Sequence, residues 1–312
     1  MVYNFTHRFS LLPLFLLTFS FFLISCDRQE KPPVKVSLSD VEDATQTIQK
    51  ENSPSLRIAI AAVISPNETF VLYKDLLDYI SKKLEMSVKL VQRETYEEVN
   101  DLVRNNELDL AFVCSGAYVD GHDQFGMELL VAPVAYGEPI YHSYIIVPAN
   151  SKINSIDDLR GKRFAFTDPM SNTGKLSPTY ILAQKDEDIE SFFSEYIFTY
   201  NHDKSIDMVA HALVDGAAVD GLIWEYVNSQ HPAITAQTKI INKSDPYGIP
   251  PIVVPSGLNP QLKKTMRDIF LNIHNDEEGM KILTKLQIDK FIVLDDQRYD
   301  SIRKMRAWFA KE

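Results

Sequence analysis

LRIAIAAVISPNETFVLYKDLLDYISKKLEMSVKLVQRETYEEVNDLVRNNELDLAFV, residues 56–113, is the stretch from which the fold can be read. It opens with the apolar run 56–62, which has the length and composition of a strand buried on both faces. A helical pattern follows over 70–84, then a strand over 88–91, a helix over 96–105 and an apolar run over 108–113. Strand and helix alternate, which predicts an α/β domain built on a doubly wound, mostly parallel sheet flanked by helices. The alternation returns downstream, with strands expected at 144–147, 163–166, 197–200 and 221–224 and helices starting near Ser177 and Ser205. From Gln261 the chain reads as almost wholly helical. There Ile282, Leu283, Leu286, Phe291 and Ile292 are the apolar positions expected to pack inward, with Lys304 and Arg306 on a solvated face.

The segments near Tyr141 and near 249–251 read as crossings between two such units. The expected organisation is one lobe from 55–142 plus 249–312 and a second from 143–248, joined by two strands. A small ligand would sit in the cleft between them.

Ahead of the first strand, His7 and Arg8 precede an apolar run over 11–24 that ends in Leu23-Ile24-Ser25-Cys26. That run is short for a bilayer span and has the layout of a secretory signal, so 1–25 is expected to be removed. The last four residues resemble a bacterial lipobox, which implies a lipid on Cys26. Residues 26–54 carry paired prolines and scattered charge without apolar periodicity and read as a flexible tether. An uncleaved signal anchor is the other reading of this segment.

The 312 residues include 32 Lys and Arg against 43 Asp and Glu, a net charge of −11, which disfavours a nucleic-acid partner. Of two cysteines, Cys26 is assigned to lipid, leaving Cys114 with no disulfide partner and no cysteine pair for zinc. The folded body must be held by its core.

The densest motif is Phe164-Ala165-Phe166-Thr167-Asp168-Pro169-Met170-Ser171-Asn172-Thr173-Gly174-Lys175-Leu176-Ser177-Pro178. A buried strand runs into a turn and the turn into a helix, whose early proline suits the first turn. Free amides at that helix start, the hydroxyls of Ser171 and Thr173 and the helix dipole together form an anion cradle without Lys or Arg. An acidic protein repels anions at long range, so such local donors would have to supply the affinity. The same Ser-x-Thr-Gly turn also serves as an ordinary helix cap. Asp168 fits either of two uses, accepting a hydrogen bond from a singly protonated oxyanion or closing an Asx turn before Pro169.

Several ordered pieces are similar to the periplasmic phosphate/phosphite/phosphonate-binding proteins of ABC transporters. They are Thr95-Tyr96-Glu97-Glu98, Leu108 to Phe112 followed by Ser115-Gly116-Ala117-Tyr118, Tyr141 to Val147, Ile156 to Lys162, the Asp168 to Pro178 turn, His202-Asp203 and Val219-Asp220. The resemblance runs from Leu56 to about Trp308 and implies a two-lobed type II periplasmic binding protein. It implies that Ser171, Asn172 and Thr173 hold the ligand's oxygens, with Tyr96, Tyr141 and His202 completing the grip; Ser115, Asp168 and Glu225 join the candidate set. A phenol donates a short hydrogen bond to an anion, and an imidazole can add a positive charge near neutral pH. On residue chemistry alone, Tyr96 also suits a helix start at the surface, Tyr141 a core aromatic and His202 a polar helix start.

The family's aminoalkylphosphonate binders place acids late in the second lobe. Here Glu225 lies close to one such position but not on it, and 244–251 has no acid where the second would fall, Asp245 being displaced. A ligand without an amine is therefore expected. The resemblance implies a monomeric, non-enzymatic, cofactor-free and metal-free lipoprotein of the periplasm or cell surface. Its partners would be a small oxyanion, an ABC permease and, through Cys26, the membrane. Tyr96, Tyr141, His202 and Glu225 also have the composition of a ferric-iron site, though without the adjacent tyrosine pair common in such sites. A sensor module for a membrane kinase would use the same clamp. Cys114-Ser115-Gly116 at a strand end could suggest a nucleophile, but no histidine is near in sequence and no phosphate loop accompanies it; Cys114 is expected to line the cleft as a small buried residue.

Overall fold

The computed structural model of the protein describes residues 55–310. The signal, Cys26 and the tether fall outside the described residues. The chain begins with β1 (Ser55–Ile60), α1 (Pro66–Leu84), β2 (Ser87–Val91), α2 (Tyr96–Arg104) and β3 (Leu110–Phe112). Helix α1 starts earlier than its apolar period suggests, because Pro66 in the first turn lacks an N–H the helix could not use there anyway. Next come α3 (Ser115–Phe125), β4 (Glu128–Val134) and the short β5 (Ile140–Tyr141). The middle of the chain forms β6 (Ser143–Pro148), β7 (Arg163–Phe166), α4 (Ser177–Ala183), α5 (Ile189–Phe192), β8 (Glu195–Phe198), α6 (His202–Ala210), β9 (Gly216–Asp220), α7 (Gly221–Gln230), α8 (Pro232–Thr235) and β10 (Thr238–Lys243). The return runs through β11 (Tyr247–Gly248) and β12 (Ile252–Val254) to α9 (Pro260–Asn272), α10 (Glu277–Leu286), β13 (Lys290–Ile292) and α11 (Asp300–Phe309).

These strands form a six-stranded sheet in the order β13-β4-β12-β3-β1-β2, a five-stranded sheet in the order β10-β6-β9-β7-β8, and a two-stranded ribbon of β5 and β11. Both large sheets are mixed rather than mostly parallel. Strand β1 is parallel to β2 and β3, and β7 to β8 and β9, whereas β12 and β6 run against their neighbours. The reason is the connection: β6 and β12 enter their lobes from the ribbon and run away from it, while the strands of the strand-helix units end at the cleft, where α/β sheets place their ligands.

Two expectations need correction. The strand expected over 221–224 is the start of α7, and the strand is Gly216-Ala217-Ala218-Val219-Asp220, buried throughout. Its small residues give a weak apolar signal, but they are required: a Cβ on Gly216 would come within 2.8 Å of Leu159 Cδ2. Asp220 Oδ1 then accepts from Leu222 N at 2.8 Å and starts the helix. The C-terminal block is also interrupted, since Phe291 and Ile292 lie in β13, which pairs antiparallel with β4.

Aromatic residues fill both cores. In the first lobe Phe270 lies edge-on to Phe112 and Phe291, with ring centroids 6.2 and 5.1 Å away. In the second, Phe164 stacks on Phe193 at 4.4 Å. The ribbon pairs Tyr141 with Tyr247 and Ile140 with Gly248, and beside it Tyr299 Oη donates to the Ile249 carbonyl at 2.9 Å. Phe270→Ala should destabilise the protein by about 3–5 kcal/mol, the range for emptying a buried aromatic site. Urea denaturation should show a lower midpoint with an unchanged slope.

Candidate functional site

Strand β7 ends at Phe166, and the next two polar residues organise the turn. Asp168 Oδ1 accepts from Met170 N at 2.7 Å and closes the Asx turn. Its Oδ2 accepts at 3.0 Å from the backbone N of Tyr96, the first residue of α2 in the opposite lobe. Both carboxylate oxygens thus hold backbone N–H groups, so Asp168 shapes the turn and joins the lobes. Ser171 caps the following π-helical turn, Asn172–Leu176, its Oγ accepting from Gly174 N at 3.0 Å and keeping its proton free to donate. Ser143 Oγ donates to the Thr173 carbonyl at 2.6 Å and fixes the turn to β6. Gly174 is needed because a Cβ there would lie 1.6 Å from Thr167 Oγ1.

Against this turn the first lobe sets Tyr96, Cys114 and the start of α3. Asn172 Nδ2 donates to Tyr141 Oη at 3.1 Å. Burial raises the Tyr96 and Tyr141 phenols well above their ordinary range, so both are neutral donors. The Cys114 thiol is likewise raised by burial, the opposite of an activated nucleophile. Ser115 Oγ donates to the Gly248 carbonyl at 2.7 Å, tying α3 to the ribbon. Gly116 lets the lobes approach closely: a Cβ there would meet Met170 O at 2.4 Å and Asn172 N at 3.0 Å.

His202 opens α6. Its backbone N donates to Val63 O across the cleft at 2.9 Å. Its ring Nδ1 accepts from Asp220 N at 2.9 Å, which places the single imidazole proton on Nε2. Burial pulls its pKa down to about 3. The positive charge expected of this residue is therefore absent, and His202 is a neutral N–H donor. Further bonds close the seam, from Ser65 N to Asp203 Oδ1 at 3.1 Å and from Asn201 Nδ2 to Ala62 O at 3.1 Å.

Among the buried polar atoms without a hydrogen-bonding partner are Tyr96 Oη, Thr167 Oγ1, Asn172 Oδ1, Thr173 Oγ1 and His202 Nε2. Each such atom costs about 1–3 kcal/mol when it is left unpaired out of water. These five, the cage, combine neutral donors with an amide acceptor, chemistry suited to a compact anion that can itself bear a proton. Thr167 was not singled out in the sequence and is found only through its unpaired hydroxyl under Gly174. Asp220, which stood in the sequence only as part of a motif, is buried at the edge of the cage, its pKa pushed up to about 7 by desolvation.

Two residues lie elsewhere than expected. Glu225 on α7 accepts from Tyr144 Oη at 3.3 Å, in a pocket bordered by Tyr136, Tyr141 and Lys243, and is not gathered with the unpaired atoms. Of the four residues weighed for iron, Tyr141 and Glu225 line this pocket and Tyr96 and His202 do not, and among the described residues no cluster of three or more His, Cys, Asp or Glu could hold a metal. Arg306 is not on a solvated face, as it pairs with Asp120 at 2.8 Å and donates to Gly116 O at 3.2 Å.

Two α/β lobes on a strand hinge, closed over a donor-lined cage, define a solute-binding protein of the type II periplasmic class. Residues 58–299 match the family described as ABC transporter, phosphonate, periplasmic substrate-binding protein, and the chain belongs to that family. It is 26% identical to the phosphonates-binding periplasmic protein of Escherichia coli K12, over 82% of this chain and 77% of that protein. It is 28% identical to the phosphate-import protein PhnD of Mycolicibacterium smegmatis, over 76% of this chain and 79% of that protein. A crystal structure of a binding-protein component of an ABC phosphonate transporter from Pseudomonas aeruginosa superposes with a TM-score of 0.78 at 26% identity, over 82% of this chain and 87% of that one. The protein is thus a substrate-binding component of an ABC transporter, placed by its family in the periplasm.

Gly116→Ala should hold the lobes apart, and small-angle X-ray scattering should give a larger radius of gyration than for the wild type. Asp220→Asn should act through pH. The folded-state pKa is raised from 3.8 to about 7, so the stability linked to this proton is present below 3.8 and lost as pH rises through about 7. The variant should therefore gain stability over the wild type at about pH 8 and little at about pH 4, read from urea midpoints.

Proposed function

We propose that the protein captures a phosphorus oxyanion, such as phosphate, phosphite or a phosphonate, in the cage and delivers it to the permease of an ABC importer. The observation that carries this reading is the set of unpaired neutral donors, Tyr96 Oη, Thr173 Oγ1 and His202 Nε2–H, buried with the acceptor Asn172 Oδ1. The Ser171 hydroxyl, whose oxygen is used by Gly174 N, adds a donor. Three or more directed donors suit the oxygens of a tetrahedral anion, and Asn172 Oδ1 suits a P–OH proton, which sulfate lacks near neutral pH. These donors are uncharged, so directed hydrogen bonds rather than formal charge hold the anion. Tyr141, through Asn172, positions the turn for the ligand. Asp168 and Ser115 serve the grip indirectly, through the seam and the hinge.

The lobes swing about the β5–β11 ribbon, and ligand selects the closed form because donors from both lobes meet only there. The working protein is a monomer held at the membrane by lipid on Cys26, with residues 1–25 removed and 26–54 as tether. The Cys26→Ala variant should move from the membrane fraction to the soluble fraction. An unchanged membrane association would dismiss the anchor.

Phosphate, phosphite or methylphosphonate at a hundred times its Kd should stabilise the protein by about 2.7 kcal/mol in thermal unfolding. Sulfate and ferric citrate should not. Replacing Ser171 and Thr173 together by Ala should remove the shift while far-UV circular dichroism stays unchanged. A shift that survives in this double variant moves the site elsewhere.

A further inference from the structure

Between the lobes, next to the residues of the cage, lies a cavity of about 130 Å³. The first lobe supplies Leu72, Tyr73 and Phe112, and α7 of the second supplies Leu222, Ile223 and Tyr226. The cavity shares a border with the cage. Ala61 lines the cavity and also packs in the buried cluster that holds Tyr96 and Cys114. Asp220 lines it too, and its backbone N is the donor to His202 Nδ1. An apolar cavity only slightly larger, about 150 Å³, stays dry and takes up benzene.

The polar groups on its wall do not suit a charged guest. Among the described residues lining it, Asp220 is the one carboxylate, and there is no Lys, Arg or His. Asp220 Oδ1 is engaged at 2.8 Å as the cap of α7, and no second carboxylate stands beside it to hold an ammonium group. The mouth is strapped across the lobes, with Tyr136 Oη donating to Gln287 Oε1 at 2.7 Å and Gln287 Nε2 to Ser229 Oγ at 2.5 Å. Tyr136 and Gln287 both sit in the left-handed region, with φ of 53° and 57°, a conformation uncommon for bulky residues and found where surrounding structure fixes it. The wall behind this strap is made mostly of hydrophobic side chains.

We propose that this cavity receives the organic substituent of the ligand, so that the preferred substrate is a phosphonate carrying an uncharged, apolar group of about four to six carbons rather than inorganic phosphate or an aminoalkylphosphonate. The proposal rests on the oxyanion reading of the cage. The phosphonate head is held by Thr173, Tyr96 and His202, and the P–C bond is directed past Ala61 and Asp220 into the chamber.

Isothermal titration of the purified full chain with methyl-, butyl-, ethyl- and 2-aminoethylphosphonate tests it. Each methylene moved from water into an apolar chamber strengthens binding about fourfold, so butylphosphonate should bind at least about tenfold tighter than methylphosphonate. Ethylphosphonate should bind tighter than 2-aminoethylphosphonate. Ile223→Trp on one wall and Ile288→Phe on the opposite wall, each filling the space, should bring the butyl to methyl ratio towards one. Methylphosphonate bound with butylphosphonate no tighter overturns the chamber and leaves the oxyanion reading standing. A tighter 2-aminoethylphosphonate, or a ratio that persists in both folded variants, also overturns it. Failure of every phosphonate and of phosphate to bind overturns both readings.

Discussion

A hydroxyl or imidazole N–H withdrawn from water must find another partner, and at the centre of this protein several do not find one within the chain. Tyr96, Thr167, Asn172, Thr173 and His202 each keep one buried polar atom unpaired. With about 1–3 kcal/mol lost at each, the closed arrangement is disfavoured by itself and favoured by whatever anion completes it. The rest of the architecture follows from the need to bring these atoms together from two sides. Strands end at the seam, helices start there, and glycine stands where a side chain would collide, with the Met170 and Asn172 backbone at Gly116 and with the Thr167 side chain at Gly174.

Electrostatics works at two ranges. The chain as a whole carries a net charge of −11, which is unfavourable for an approaching anion, whereas the cage presents neutral donors of fixed direction. His202 shows how the neutrality is kept. The Asp220 amide occupies Nδ1, burial holds the ring unprotonated there, and the remaining N–H faces the cage. Such a donor does not change its charge across the ordinary pH range, so pH sensitivity at this site falls to its buried carboxyls, Asp220 and Asp168, both raised by desolvation.

Much of the fold was legible because apolar runs alternate clearly with helical periods. The strand at Arg163–Phe166 and the helix from Tyr96 fall where that reading puts them. The strand Gly216–Asp220 was misplaced because its signal is steric rather than apolar, with Gly216 packed under Leu159 and Phe164 and followed by two alanines. β13 was hidden because three residues are too few to show a period of two. Within the site, the Ser171 to Thr173 turn could be read because a strand, an Asx residue and a helix-start proline leave it little conformational choice. The charge state of His202 could not, since it depends on an amide eighteen positions away in sequence. The position of Arg306 likewise depends on Asp120, a long-range partner that no local pattern reveals.

The ribbon that joins the lobes has only two residue pairs, Tyr141 with Tyr247 and Ile140 with Gly248. A pivot this short confines any swing to a few backbone torsions, so each lobe travels as a unit. On the proposed swing Tyr141, lying in the ribbon, would move least, while Tyr96 and His202 would travel with their lobes. Its phenol, bonded to Asn172, is therefore a stationary landmark. An arriving guest would meet that landmark and the adjoining turn before the lobes close on it, which gives capture a fixed order of contacts.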